Sequence, residues 1–193
     1  MSNAAPRRPI PTAGGGWQIP DFPFCAQTDN GPEGWRQCQT SSIAMALKYL
    51  GTMGIRDDLD YLRIVNRYGD TTAQQPHVLA LKALGVDARF RQNITVMDAF
   101  AQIKAGFPVV AGVLHHGPAS KPTGGGHYIC LYGFTGAPGS WLVHDPYGEL
   151  DLVRGGWTKQ GGGAGRGRQY SFANLSPRWQ ADGPGSGWGW VFS

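Results

Sequence analysis

Cysteine is scarce in this chain of 193 residues: there are three, Cys25, Cys38 and Cys130. So few thiols cannot build a disulfide scaffold, and none pairs at the C-x-x-C spacing of a structural zinc site. The pattern fits a reducing folding compartment. Long hydrophobic runs are missing too. The N-terminus, MSNAAPRRPIPTAGGGW, holds no apolar h-region, and no window nears the ~18 apolar residues of a membrane span. The expectation is a chain made in the cytoplasm without a signal peptide, for which action outside the cell requires another route of exit.

A strong charge of one sign is also absent. Lys plus Arg number 17 against 13 Asp plus Glu, a net +4. Arginines occur as local pairs at Arg7 and Arg8 and at Arg166 and Arg168, but no helix carries the basic stripe that tracks a phosphate backbone. Nucleic acid is therefore excluded as a partner; the excess reads as a solvated basic surface with mild attraction for an anionic polymer. No internal repeat is visible.

What is abundant is glycine and proline, 30 and 14 residues, with no fixed period. They concentrate at the two ends and between hydrophobic segments, which predicts long loops and extended tails. With 41% apolar residues the chain is long enough to bury one core. Residues 1–23 read as an extended arm and 24–193 as one domain, with a flexible glycine-rich loop at 155–167 and an aromatic segment at 168–193. The aromatics Tyr170, Phe172, Trp179, Trp188 and Trp190 are expected to dock back on the domain.

The periodicity divides this domain. Ile43, Ala44, Leu47 and Leu50 share a helical face in residues 40–51, and Gly51 supplies the stop. Further helices are predicted over 57–69, near His77–Leu84 and over about 96–105, with a strand at Val86–Arg91. The second half reads as strands: FPVVAGVLH (107–115), GHYICLYGF (126–134) and SWLVHDPYG (140–148) are β-branched or aromatic runs bounded by Gly and Pro. Helices followed by strands predict an α+β domain, a helical lobe packed on an antiparallel sheet with the cleft between them.

Within this frame Cys38 stands at the entrance of the best helix, where unpaired N–H groups and the helix dipole favour a thiolate. An isolated cysteine is ordinarily a small buried residue. Its standing changes because partners are available. His127 follows three glycines and opens a strand that continues apolar. Asp145, in HDPYG on the next segment, can accept from one imidazole nitrogen and leave the other for Cys38. Each motif alone is weak, since Asp-Pro commonly begins a turn. Acyl transfer also needs donors for an oxyanion. Gln27 is the preferred side-chain donor beside the Cys38 N–H, and Gln37 the competing one. Cys130, between Ile129 and Leu131, reads as a core thiol; Cys25 reads as buried but close to the cleft.

The series Gln27-x-Asp29-Asn30, Cys38-x-Thr40-Ser41, Gly125-Gly126-His127-Tyr128 and Val143-x-Asp145-Pro146-x-Gly148 resembles papain-like cysteine peptidases related to the bacteriocin-processing domains of double-glycine-leader transporters. The resemblance spans about residues 20–150. It implies a papain-like fold without a cofactor, with Gln27 as oxyanion donor, Cys38 as nucleophile, His127 as general base and Asp145 as orienting residue. Gln39 departs from it, since Gly commonly follows the nucleophile. The stretch beyond residue 150 looks like phage and bacterial wall-lysing enzymes carrying this domain.

The resemblance implies a thiol hydrolase, and the tail favours an endolysin that cuts peptidoglycan peptide bonds as endopeptidase or amidase, acting on a host wall after release. Processing of a leader peptide or another protein is the alternative. Two other classes compete. A zinc hydrolase could draw on His115, His116, His127, His144 and Asp145, but no H-E-x-x-H helix exists and Cys38 and Gln27 would then have no role. A non-enzymatic module could bind wall glycan or peptide through the tail tryptophans.

Overall fold

The computed structural model describes residues 6–193. Residues 1–5 of the predicted N-terminal arm lie outside the described residues. The rest of that arm is not free: β1 (Ile10–Pro11) pairs with β2 (Trp17–Gln18), and β2 pairs in turn with a long strand of the domain, Trp17 opposite Phe134. Ile19 and Phe22 are buried. Proline and glycine mask strand periodicity here, and the pairing partners lie more than a hundred residues away.

Three helices follow, α1 (Cys38–Tyr49), α2 (Asp58–Val65) and α3 (Gln74–Ala83). Nine consecutive residues of α1, Gln39–Leu47, are buried. A helix covered on every side belongs in a core, because each large apolar side chain removed from water contributes about 1.5–3 kcal/mol. The Asp57 carboxylate caps α2 by accepting from the Asp60 N–H at 3.0 Å. Strand β3 (Ala88–Ile94) and helix α4 (Val96–Lys104) come next, the latter opened by a capping box between Thr95 and Asp98.

The second half supplies β4 (Val109–Val113), β5 (His127–Phe134), β6 (Ser140–His144), β7 (Gly148–Leu150), β8 (Trp157–Gln160), β9 (Arg168–Ser171), α5 (Phe172–Trp179) and β10 (Gly187–Phe192). All pairings are antiparallel: β5 joins β4, β2 and β6, β6 joins β9, and β10 lies between β4 and β3. Strands β7 and β8 form a separate hairpin.

Strand alternation sorts the core into two layers. Val110, Cys130, Trp190 and Phe192 face α1–α3 together with Ile43, Met45, Leu47 and Tyr61. Val109, Ala111, Ile129 and Leu131 face the opposite side with Ile103 of α4 and Leu175 and Trp179 of α5. The fold is α+β, with helices packed on an antiparallel sheet, as the segment order predicts. The tail is more deeply integrated than a docked appendage: its last strand lies inside the sheet, between β4 and the edge strand β3. Gly189 makes that insertion fit, since a Cβ there would stand 2.1 Å from the Val110 carbonyl oxygen.

The glycine-rich stretch 155–167 also differs from the expected flexible loop. It contains β8, and its glycines bring backbone close to backbone. Gly165 O accepts from the Asp145 N–H at 2.9 Å, and the Gly161 N–H donates to Tyr147 O at 2.9 Å. A Cβ on Gly165 would lie 1.9 Å from Asp145 O. Composition alone cannot separate glycine used for freedom from glycine used for contact.

Candidate active site

Cys38 is the first residue of α1, preceded by a single turn of 3-10 helix, Gly34–Arg36. The Ser41 N–H takes Gln37 O at 2.9 Å, so the N–H groups ahead of it in the first turn are those that a helix leaves open. The helix crosses beneath β5: Ser42 Oγ donates to Tyr128 O at 3.0 Å, and the Cys130 thiol donates to Ser42 O at 3.0 Å. This packing sets Cys38 beside the first residue of β5, which is His127.

His127 is 3% exposed and Asp145 fully buried. The His127 Nε2 stands 2.7 Å from Asp145 Oδ1. That oxygen also accepts from the backbone N–H groups of Tyr147 at 3.0 Å and Gly148 at 3.3 Å, through the turn that Pro146 begins. With Nε2 engaged, Nδ1 is the nitrogen left to address the Cys38 thiol. Burial works to lower the His127 pKa, but the charge and hydrogen bond of Asp145, with the hydrogen bond and charge of Cys38, outweigh it and raise it to about 10. At neutral pH the ring is an imidazolium held between a carboxylate and a sulfur.

Several members of the site carried no signal in the sequence. Tyr170, expected only to dock, donates its hydroxyl hydrogen to Asp145 Oδ2 at 3.3 Å and accepts from the Leu150 N–H at 2.8 Å. Trp157, on β8, sets its ring at 88° to the His127 imidazole with centroids 5.3 Å apart, and packs on His115 and Tyr147. It packs edge-on against the His127 ring that Asp145 holds. His115 is pushed down to about 4, by burial first and then by the charge of His127, and so stays neutral.

The cleft has a volume of about 420 Å³, within the range of small-ligand sites. Trp35, Cys38 and Gln39 line it from the helical side; His127, Tyr128 and Trp188 line it from the sheet. Gln27 is buried and is not among the residues that line the cleft; its amide Nε2 donates to Gly34 O at 2.8 Å, which leaves one amide hydrogen uncommitted. Gln37 is also buried. Gln39, the unexpected residue after the cysteine, has both amide atoms buried without a protein partner.

The histidines weighed as zinc ligands do not converge. His144 is pressed down to about 4 by burial, against backbone hydrogen bonds that raise it. Its Nδ1 accepts from the Gly167 N–H at 2.9 Å, and its Nε2–H donates to Phe22 O at 3.1 Å. Among the described residues no group of three or more His, Cys, Asp or Glu side chains is placed to hold a metal ion. Cys25 and Cys130 are buried free thiols, both pushed up by burial, Cys25 to about 12. No helix among the described residues is long and apolar enough to cross a membrane.

A cysteine at the mouth of a buried helix, packed across an antiparallel sheet that carries His127, is the architecture of the papain-like cysteine peptidases. Within that class the family follows from comparison: residues 19–165 match the Peptidase_C39 like family, and the chain belongs to it. The match defines a C39-like cysteine peptidase domain; it does not single out double-glycine leader peptidases or phage lysins. A solved structure from Bacillus anthracis described as a C39-like peptidase is 19% identical, with a TM-score of 0.49 over 79% of this chain and 94% of that one. No curated protein shows a significant match.

Proposed function

We propose that the protein is a cysteine peptidase that hydrolyses peptide bonds in a peptide or protein substrate, processing of a leader or precursor being the reading closest to its family. What carries the proposal is His127, charged at neutral pH and held through Nε2 by Asp145 at 2.7 Å while its other nitrogen serves Cys38. The Cys38 thiolate attacks the carbonyl carbon, and the oxyanion is met by the Cys38 N–H and the remaining Gln27 amide hydrogen. Imidazolium His127 gives its Nδ1 proton to the departing amine as the C–N bond breaks. Water, deprotonated by the now neutral His127, then cleaves the thioester, releasing a carboxylic acid and restoring the thiol. No step calls on a metal or a cofactor.

Wall lysis is the second reading, supported by the tail resemblance and the net +4. It has less to draw on in this fold. Of the tail tryptophans, Trp179 and Trp190 are fully buried in the core, and Trp188, partly exposed, faces the cleft rather than an open binding surface.

One experiment addresses both readings. The protein and its Cys38→Ala variant are incubated separately with a defined peptide pool and with purified cell walls, and released fragments are read by mass spectrometry. We expect cleavage in the peptide pool that falls by ~10⁴-fold or more in the variant. Fragments from the walls alone would move the substrate to peptidoglycan. Equal cleavage by both proteins, or failure of iodoacetamide to alkylate Cys38 at pH 7, would remove the thiol mechanism.

A further inference from the structure

The family match ends at residue 165, yet the chain continues into the sheet, between β4 and β3, and back into the cleft. Trp188 is the point of return. It is the second residue of β10, where the register with β3 shifts between Gly187 and Gly189. It lies on the face of the strand that carries Trp190 and Phe192 toward the helical lobe. Unlike those two it stays partly exposed and lines the cleft.

Three strands are shaped around this one ring. A Cβ on Gly112 of β4 would stand 1.9 Å from Trp188 Cζ3, and a Cβ on Gly126, just ahead of β5, would stand 2.9 Å from its Cη2. The indole therefore lies across positions where any other residue would put a side chain, next to the residue that precedes His127. Tyr128 meets it edge-on, centroids 5.2 Å apart at 80°, and the Tyr128 hydroxyl accepts from Gln74 Nε2 at 3.3 Å. Trp188 also holds its own backbone in place, its carbonyl accepting from Trp179 Nε1 at 3.0 Å.

The cleft around it offers aromatic surface and little charge. Arg36 is the one Lys, Arg, Asp or Glu among the lining residues, and both Asp70 oxygens engage its guanidinium at 2.9 and 2.7 Å. A charged substrate side chain beside Trp188 would lose water and find no free counter-ion, since Arg36 is engaged by Asp70 and the His127 ring by Asp145. An apolar one would leave water for an indole face.

We propose that Trp188 is a specificity-determining residue: with Tyr128 it forms the floor of a subsite beside His127 that takes an apolar, preferably aromatic, side chain of the peptide substrate. This rests on the proposed thiol peptidase mechanism, and it assigns substrate selection to a segment outside the family match.

The test separates the two claims. Acetyl-tripeptidyl chloromethyl ketones, with Ala throughout except for one position bearing Phe, Ala or Asp, inactivate Cys38 at rates divided by the iodoacetamide rate of the same protein. This ratio cancels thiolate reactivity and reports recognition alone. The unsubstituted protein is expected to react about tenfold or more faster with the Phe probe than with the Ala probe at one position, and slowest with Asp. In Trp188→Ala the Phe preference at that position falls to within about twofold. Trp188→Phe, which keeps a ring and the packing on Tyr128, retains an intermediate preference and serves where the alanine variant does not fold. Alkylation by iodoacetamide with the same Phe, Ala and Asp ratios in all three proteins overturns the Trp188 subsite and leaves the thiol mechanism standing. No alkylation by either reagent overturns both.

Discussion

Two stretches of the molecule divide the work of the site unequally. The part that matches the family, residues 19–165, holds Cys38, His127 and Asp145, the groups proposed to react. The part beyond it, 166–193, holds no group placed to react, yet it supplies the interior strand β10, the Tyr170 hydroxyl on Asp145, and the Arg178 guanidinium behind His116. The first stretch explains what chemistry is on offer. The second explains why the geometry for it persists, since a carboxylate and an imidazolium buried together need every lone pair and proton met. Apart from Trp188, substitutions in the two stretches should therefore fail differently, the first in rate and the second in stability.

After the loss of Cys38 itself, the largest effect is expected at Asp145. Asp145→Ala should lower kcat/KM by ~10³–10⁴ while leaving the protein folded, measured on the peptide substrate. Its pH signature sharpens the assignment. Asp145 holds the His127 pKa up at about 10 against burial, so without it burial prevails and the alkaline limb of the rate profile moves to lower pH. The corresponding stability term is fully present below about pH 6.5. It is lost as pH rises toward 10, because the folded state binds the proton more tightly. Thermal unfolding between pH 6 and 10 should fall more steeply in the unsubstituted protein than in the variant. An alkaline limb that does not move would detach Asp145 from His127 in function.

Arg178 tests the opposite stretch. It is fully buried, and its guanidinium donates to the carbonyls of Leu152, Leu114, His116 and Gly117 at 2.9, 3.0, 3.2 and 2.7 Å. Arg178→Met keeps the bulk and leaves the Leu152, Leu114 and Gly117 carbonyls without a donor, while His116 O keeps the Thr123 N–H. The expected cost is about 3 kcal/mol, a fall in Tm of roughly 6–12 °C by calorimetry. A change under 2 °C would mean that water replaces the guanidinium and that the tail supports the site less than its contacts suggest.

The same division marks what could be read from the sequence. Cys38, His127 and Asp145 could be picked out because their signals are local: a helix beginning, a glycine run before a strand, an Asp-Pro turn. The helical lobe was legible for the same reason, α1 and α4 falling within two residues of their predicted limits. Tyr170, Trp157 and β10 were not legible in their roles, because each acts through a partner far along the chain. Alternating Gly and Trp in GWGW looks like a loop with aromatics until β4 and β3 flank it. The glycine-rich stretch misled by composition: Gly165 and Gly161 serve the Asp145 turn by close backbone contact. Gln27 was singled out by position, and the structure adds that Gly34 already takes one of its two amide hydrogens.

The smallest effect is also the most discriminating, because Tyr170 belongs to the supporting stretch but touches the reacting one. Tyr170→Phe removes one oxygen and keeps the ring that packs in the core. Two groups then lose a partner, the Leu150 N–H and Asp145 Oδ2. Asp145 is not released, since Oδ1 still accepts from His127, Tyr147 and Gly148. The expected loss is therefore about 1–2 kcal/mol of stability and a fall in kcat of no more than roughly tenfold, with KM unchanged. If Tyr170 only packs, activity per folded molecule should match the unsubstituted protein once Tm is accounted for. If it steadies Asp145, kcat falls at temperatures where both proteins are fully folded. A loss as large as that of Asp145→Ala would place Tyr170 among the groups on which the chemistry directly depends, and the boundary between the two stretches would have to move.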